Sequence, residues 1–377
     1  MNAGPISVAV VGADASGRGF GARAHAAAVL AVPGLELRAV CTSRAETASA
    51  AAARWGVERW YADYERLMDD RDVDIVTVAV PVRHHLKIAA AALEAGKSVY
   101  CEWPLCLTAR DARRLTHLAR GRDVITAAGL QGRFGPAVRY ARSLLDAGAI
   151  GQPLSFLATQ ILDRFDVSSD RHWLAREDEG SGALHVAAGH VTDVAEFLLG
   201  QVEAVAGTRA TLRPSDVYSD TGGPLHWTAS DTVTYAAKTA RGCVGNVYVT
   251  YLGARSEGFT LRIFGDDGQL TLRAPGYVSF TRSTVEISRD GDAHPQRLRI
   301  PREFVPSFKL PADSPATNVA IALAELAGCT RAGERFRPDF EDASHIHEVL
   351  EDVGRGRLHR VGCRPHPRGH RRRPAGR

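Results

Sequence analysis

The apolar run Ile6-Ser7-Val8-Ala9-Val10-Val11 stops on Gly12, and the turn after it carries three more glycines, at Gly17, Gly19 and Gly21. A buried strand that ends in glycine and feeds a helix leaves backbone N–H groups and the positive end of the helix dipole facing outward. The chain is thereby committed to a strand–turn–helix beginning, and the same alternation then recurs. A helix is expected over 22–32, a strand over 35–41, a helix over 45–55 and a strand over 72–80; then come helix 85–95, strand 98–101, helix 109–119 and strand 124–128. The run Asp72-Val73-Asp74-Ile75-Val76-Thr77-Val78-Ala79-Val80 is nearly continuous in apolar residues, as in strands of a parallel sheet covered on both faces. Strands alternating with helices of this length predict βαβ units and a doubly wound parallel sheet.

After about Gln131 the texture changes. A helix near 136–147 ends at Gly148, and strand-like segments come next at 153–160, 202–212, 232–240, 243–252, 259–264, 269–272 and 285–287. Arg241-Gly242 and Asp266-Asp267-Gly268 are hairpin turns. The expectation is a large, mainly antiparallel sheet, interrupted by a helix over 182–199 and closed by helices over 316–327 and 339–353. A chain of 377 residues exceeds one comfortable core, so two domains are expected, 1–130 and 131–353. Residues 354–377 hold nine arginines and no lysine, aspartate or glutamate, against a formal net charge of +4 for the whole chain. The first 353 residues are therefore net acidic. The basic end cannot bury a core and reads as a disordered tail rather than a nucleic-acid footprint.

The scattered cysteines form no Cys-x-x-Cys pair, and the histidines show no zinc-protease spacing, so reduced thiols and no metal are expected. No leader or bilayer-spanning run is recognisable, and the expected location is cytoplasmic.

The glycine turn departs from Gly-x-Gly-x-x-Gly, because Asp14 holds the second glycine position. Its place in an alternating βαβ pattern makes it a dinucleotide site, with Gly12, Asp14, Gly19 and Phe20 against the pyrophosphate. An NAD site puts a carboxylate at the end of the second strand to bond the ribose hydroxyls. Here that place reads Cys41-Thr42-Ser43-Arg44, and the hydroxyls with the guanidinium suit a 2′-phosphate. NADP(H) is favoured over NAD(H), with Ser43 and Arg44 as its ligands.

Several further segments carry a resemblance. They are Pro81-Val82-Arg83-His84-His85 after the third expected strand, Glu102-Trp103-Pro104-Leu105, Leu130-Gln131-Gly132-Arg133, Gly180-Ser181-Gly182 leading to Gly189-His190-Val191-Thr192-Asp193, and Phe264-Gly265-Asp266-Asp267-Gly268. Together with the glycine turn, they resemble the glucose-fructose oxidoreductase/inositol dehydrogenase superfamily over roughly residues 6–353. Within it they look most like the branch of the fungal galactose-regulon repressor, which binds a nicotinamide dinucleotide and acts by protein contact. The resemblance implies an α/β protein with an N-terminal Rossmann domain and a C-terminal domain built on a large open, mainly antiparallel sheet. It adds Pro81, His85, Glu102, Trp103 and Gln131 to the cofactor side. It makes His190 the catalytic acid/base, places Trp103, Arg133, Trp173 and Asp193 on the substrate side, and implies a homodimer or homotetramer.

Two departures are specific. Trp103 stands where most of the family has a lysine, and an indole cannot exchange a proton as an ammonium can. Val186 stands where the family's aspartate lies one helical turn before the histidine. The expected function is an NADP(H)-dependent oxidoreductase of a carbohydrate-like hydroxyl or carbonyl substrate, with His190 moving the proton. The alternatives are a catalytically silent NADP-binding regulator and a redox-neutral enzyme that recycles its hydride. Each residue also has a plain structural reading: His190 as a core histidine, Arg133 as half of an ion pair, Trp103 as packing.

Overall fold

The protein is described by a computed structural model covering residues 4–311, 314–356 and 359–360. Its first half runs β1 (Ile6–Val11), a π-helical turn (Gly21–Ala26) continuing as α1 (Ala27–Ala31), β2 (Leu35–Cys41), α2 (Ala45–Trp55), β3 (Arg59–Tyr61), α3 (Tyr64–Met68), β4 (Ile75–Val78), α4 (His85–Glu94), β5 (Ser98–Glu102), α5 (Ala109–Ala119) and β6 (Thr126–Gly129). The six strands are parallel in the order β3-β2-β1-β4-β5-β6. Both faces of this sheet are covered, as the apolar runs require. Val8 and Val10 of β1 enter one core cluster and Ala9 and Val11 the other. The short β3 and α3 were not expected, because three residues such as Arg59-Trp60-Tyr61 are too few to show a period.

The second half continues with α6 (Pro136–Asp146), β7 (Pro153–Ile161), a second π-helical turn (Ala183–Ala188) continuing as α7 (Gly189–Leu199), and β8 (Val202–Ala210). Then come β9 (Ser215–Val217), β10 (Pro224–His226), β11 (Thr232–Thr239), β12 (Val244–Thr250), β13 (Gly258–Gly265), β14 (Gln269–Ala274), β15 (Thr284–Ser288), β16 (Gln296–Leu298), α8 (Ala316–Ala332), α9 (Phe340–Gly354) and β17 (His359–Arg360). β9 and β10 form a small ribbon, and the other strands make one sheet, β16-β15-β14-β13-β7-β12-β11-β8-β17. Every pairing in that sheet is antiparallel except β7 with β12.

Period-2 burial fixes the register of this sheet. Val233, Tyr235, Val247 and Val249 face inward, while Thr234, Ala236, Asn246 and Tyr248 are exposed on the outer face.

The chain returns on itself at the end. Val319, Leu323 and Leu326 of α8 pack into the same cluster as Val8, Val10 and Val29, and α9 lies along α5. α8 thus packs against the N-terminal sheet, while α9 lies between α5 and β8 of the second sheet. A capping box fixes the start of α9: Asp339 accepts from the backbone of Asp342, whose carboxylate accepts from the backbone of Asp339. The chain also passes the expected end at 353, since β17 pairs with Val205 and Ala204 of β8. The arginine-rich remainder from 361 lies outside the described residues.

Among the described residues no helix is long and apolar enough to cross a membrane, and no cluster of three potential metal ligands occurs. Cys101 and Cys106 are both buried and unbridged.

Candidate active site

Gly12 has a φ of +104°, and a Cβ there would stand 2.3 Å from the carbonyl oxygen of Ala79. No side chain fits at the point where β1 hands over to the turn. A Cβ on Gly21 would lie 2.6 Å from the carbonyl oxygen of Gly12, so Gly21 lets the first helix sit close against the strand end. Both cradles are what a pyrophosphate-binding turn needs, and the residues present fit a dinucleotide. Asp14 spends its carboxylate inside the loop, accepting from the backbone N–H of Ser16 at 2.8 Å and from the Ser16 hydroxyl. It touches the Gly19 position, while Phe20 stands at the start of the helical segment.

At the end of β2, Ser43 and Arg44 are exposed, and Thr42 donates its hydroxyl hydrogen to the carbonyl of Arg44 at 3.1 Å. Neither these residues nor Thr47, which bonds Thr42 and the Arg44 carbonyl, supplies a carboxylate. Arg54 of α2 reaches across and donates to the carbonyl of Ala15 at 3.0 Å, bringing a second guanidinium to the glycine turn.

The segment 102–104 at the end of β5 is held at every residue. Glu102 is buried, lies 2.6 Å from His25 Nε2, and accepts from the Gln131 amide at 2.6 Å on each oxygen. His25 belongs to the first π-helical turn and is fully buried against Tyr100 and Phe20. Trp103 donates its indole N–H to the carbonyl of His185, in the second π-helical turn, at 2.8 Å. Pro104 follows a cis peptide bond, and its carbonyl lies 2.9 Å from His85 Nδ1, while His85 Nε2 lies 2.8 Å from the carbonyl of Val80. Burial pulls the His85 pKa below its ordinary value, against the two carbonyls, which favour the charged ring. The π-helical turns, one from each half of the chain, thus grip adjacent residues of one strand end. Such turns are concentrated at functional sites.

Three of the residues expected on the substrate side have side chains already engaged within the protein. Trp103 is only 6 % exposed, and its ring lies 4.5 Å from that of His347. A Cβ on Gly189 would fall 2.2 Å from its Nε1. Trp103 is therefore packing, fitted against a bare glycine of α7 with its one donor already used. Arg133 and Asp193 are likewise committed, forming a two-point ion pair with Nε–Oδ2 at 3.1 Å. Burial raises the Asp193 carboxyl to about 6, against the pull of Arg133. Arg133 also lies over the Phe197 ring, so it reads as a structural cation.

His190 is different. It is 6 % exposed, its Nδ1 has no hydrogen-bond partner, and burial alone lowers its pKa to about 3. Its ring is therefore a neutral imidazole whose Nδ1 no protein group claims. Trp173 is half-buried in the 169–175 segment, and its carbonyl accepts from the Ser181 hydroxyl at 3.0 Å. Pro81 stands half-buried just before the 82–84 turn that leads into α4.

Sequence reasoning missed several residues. His25 looks like a lone histidine in an alanine-rich helix, and only the fold reveals Glu102 as its partner. Arg54 gave no signal, and Gly189, although part of a segment that carried the resemblance, gave none of its contact with Trp103. Gln160 on β7 is fully buried with both amide atoms unpartnered, on the inward side with Ala158 and Phe156. A glutamine in an otherwise apolar period-2 strand is a signal that could have been used.

Segments from the two halves also meet at the turn. Arg18 donates to Asp170 at 2.9 Å, Arg83 to Glu179 at 2.8 Å, and the rings of Phe20 and Phe280 lie 6.3 Å apart.

Known proteins align with this geometry. Residues 6–130 match the model of the oxidoreductase family with an NAD-binding Rossmann fold, and residues 138–271 match the GFO/IDH/MocA C-terminal domain. Levoglucosan dehydrogenase of Pseudarthrobacter phenanthrenivorans is 32 % identical over 279 residues, covering 67 % of this chain and 71 % of its own. A solved levoglucosan dehydrogenase in complex with NADH and levoglucosan superimposes with a TM-score of 0.81 at 25 % identity, over 95 % of this chain and 99 % of that one. The super-repressor mutant of Gal80p from Saccharomyces cerevisiae shares the fold, with a TM-score of 0.82 at 17 % identity over 95 % and 98 % of the two chains. The chain thus belongs to the Gfo/Idh/MocA oxidoreductase family, with an NAD(P)-binding Rossmann half and a C-terminal half of the same family.

Proposed function

We propose that the protein is an NADP(H)-dependent oxidoreductase acting on a hydroxyl or carbonyl of a carbohydrate-like compound, with His190 as the group that holds the proton. The observation that carries this reading is the buried His190 imidazole, with Nδ1 unclaimed by any protein group. The bound dinucleotide supplies hydride exchange, which no side chain can provide. The chain's own part is to orient and to manage one proton. Gly12, Gly19 and Phe20 would present backbone to the pyrophosphate, while Glu102, fixed by His25 and Gln131, keeps the β5 end rigid. His190 takes the hydroxyl proton as the C–H bond breaks, and returns it in the reverse direction. The carbohydrate class rests on the relatives, one of which is a levoglucosan dehydrogenase.

The NADP preference rests on Arg44 after β2, where Thr42, Ser43 and Thr47 supply no carboxylate, and on Arg54 at the glycine turn. Binding of NADPH and NADH by fluorescence titration tests it: Arg44→Ala should weaken NADPH by about tenfold and leave NADH nearly unchanged. An equal effect on both would sink the assignment. Deuterium transfer from labelled NADPH to a sugar tests the chemistry, and His190→Ala should abolish transfer while sparing NADPH affinity.

One observation favours a second reading. With Trp103 in the core and Val186 in place of a carboxylate, the site lacks two proton-handling groups that the resemblance expects. A silent NADP-binding regulator fits that loss, and label remaining on bound cofactor, with every sugar tried, would support it. A homo-oligomer through the exposed face of the C-terminal sheet, where Val244 and Tyr248 stand out, is part of the same proposal. Light scattering of Tyr248→Glu checks it.

A further inference from the structure

A cavity of about 840 Å³ opens between the segments 280–284 and 297–311 and the beginning of α8. Its lining includes the apolar residues Phe280, Leu298, Ile300 and Phe308 and the basic residues Arg282, Arg297 and Arg299. No aspartate or glutamate is among the described lining residues. Glu286, opposite Arg297 in the β15–β16 pairing, is engaged by Arg273 at 3.4 Å. Among the described residues none of the three arginines has an ion-pair partner.

Among the described residues no carboxylate pairs with any of these three guanidinium groups. Guanidinium donors match the paired oxygens of a phosphate. The start of the 17-residue α8, with Ser314 and Thr317 on the lining, adds the positive end of a helix dipole. The apolar wall calls for an organic body attached to the anion, and the volume is that of a small-molecule site.

The position ties this cavity to the cofactor cleft. Phe280 lines it, and the same ring lies 6.3 Å from Phe20 at the glycine turn. Phe280 also stacks on Tyr277 at 5.2 Å, and Tyr277 meets Tyr251 at 6.4 Å on the inner side of the sheet. Phe280 is thus shared between the wall of the cavity and the glycine turn.

We propose that the cavity bearing Arg282, Arg297 and Arg299 binds the phosphate or diphosphate of a phosphorylated sugar, which makes the substrate an anionic sugar ester rather than a free sugar. This rests on the dehydrogenase reading for its substrate, but the anion site is measurable without turnover. Calorimetry on the full chain saturated with NADPH, so that the dinucleotide site is closed to the probes, is carried out with inorganic pyrophosphate, thymidine diphosphate and glucose 6-phosphate. At least one should bind with a Kd below about 1 mM, and the triple variant Arg282→Ala/Arg297→Ala/Arg299→Ala should lose roughly tenfold or more. Binding of the two diphosphates alone assigns a nucleoside-diphosphate sugar; binding of glucose 6-phosphate assigns a sugar monophosphate.

Arg297→Glu alone provides the same reading should the triple variant fold poorly. An unchanged melting temperature and NADPH affinity show that each variant is intact. The proposal is overturned if no probe binds at that concentration, or if the variants bind as the parent does. Anion binding that persists while no label passes from NADPH to any sugar would instead refute the dehydrogenase reading and leave the anion site standing.

Discussion

Trp103 and Gly189 are one feature written at two positions. The indole fills the space that a side chain on α7 would need, so Gly189→Ala should overpack the core and cost about 1–3 kcal/mol. Chemical denaturation checks this, and adding Trp103→Ala should make the alanine at 189 nearly neutral; additive losses would contradict the contact. Two buried histidines supply a pH prediction. His190 and His347 are both lowered by burial from 6.5 to about 3, and neutral His347 accepts the backbone N–H of Cys106 at 3.3 Å. The unfolded chain takes up protons below 6.5 that the fold refuses, so their stabilisation is lost as pH falls from 6.5 toward 3. Each contributes a slope of up to about 1.4 kcal/mol per pH unit. Asp193, raised to about 6, acts oppositely, because the fold prefers its protonated form and that contribution is lost as pH rises through 6. Melting curves from pH 7 to 4.5 should therefore be flatter in His347→Gln than in the parent. At this scale the sequence made the loss of the lysine and the aspartate visible. It hid Glu102–His25 and Trp103–Gly189, which are contacts between residues 77 and 86 positions apart that no local pattern encodes.

Elements with a clear period were legible almost to the residue, from β1 through the alternation of β11 and β12. What escaped was either too short, as with β3 and the β9–β10 ribbon, or written in the same pattern as something else. A π-helical turn and an α-helix share an apolar stripe, so the turns at 21–26 and 183–188 could only appear as helix. β7 carries its own test. Gln160 leaves both amide atoms unpaired inside the sheet, a cost that a purely structural strand would shed. Gln160→Leu should stabilise the fold by about 1 kcal/mol while raising KM for the substrate. A destabilised variant with unaltered KM would show that the amide serves the fold instead.

At the scale of the molecule, the resemblance and the alternation of strands and helices conveyed two halves, but not that α8 returns to roof the first one while α9 lies between α5 and β8. Such a return is set by the apolar faces of helices far along the chain from β1, and periodicity reports only that a face exists. The same return places β17 on the open edge of β8. Truncation after Val353 should lower the melting temperature by about 2–4 °C through exposure of that edge, which differential scanning calorimetry can read.

The links from Arg18 to Asp170 and from Arg83 to Glu179 join the two halves across the mouth of the dinucleotide cleft, and three of their four side chains are more than a third exposed. Exposed ion pairs weaken with salt. Added salt should therefore loosen these two links between the halves. Where nucleotide exchange sets the pace of the cycle, turnover should quicken as ionic strength rises, and an enzyme that keeps its nucleotide between turnovers would do so best in dilute buffer.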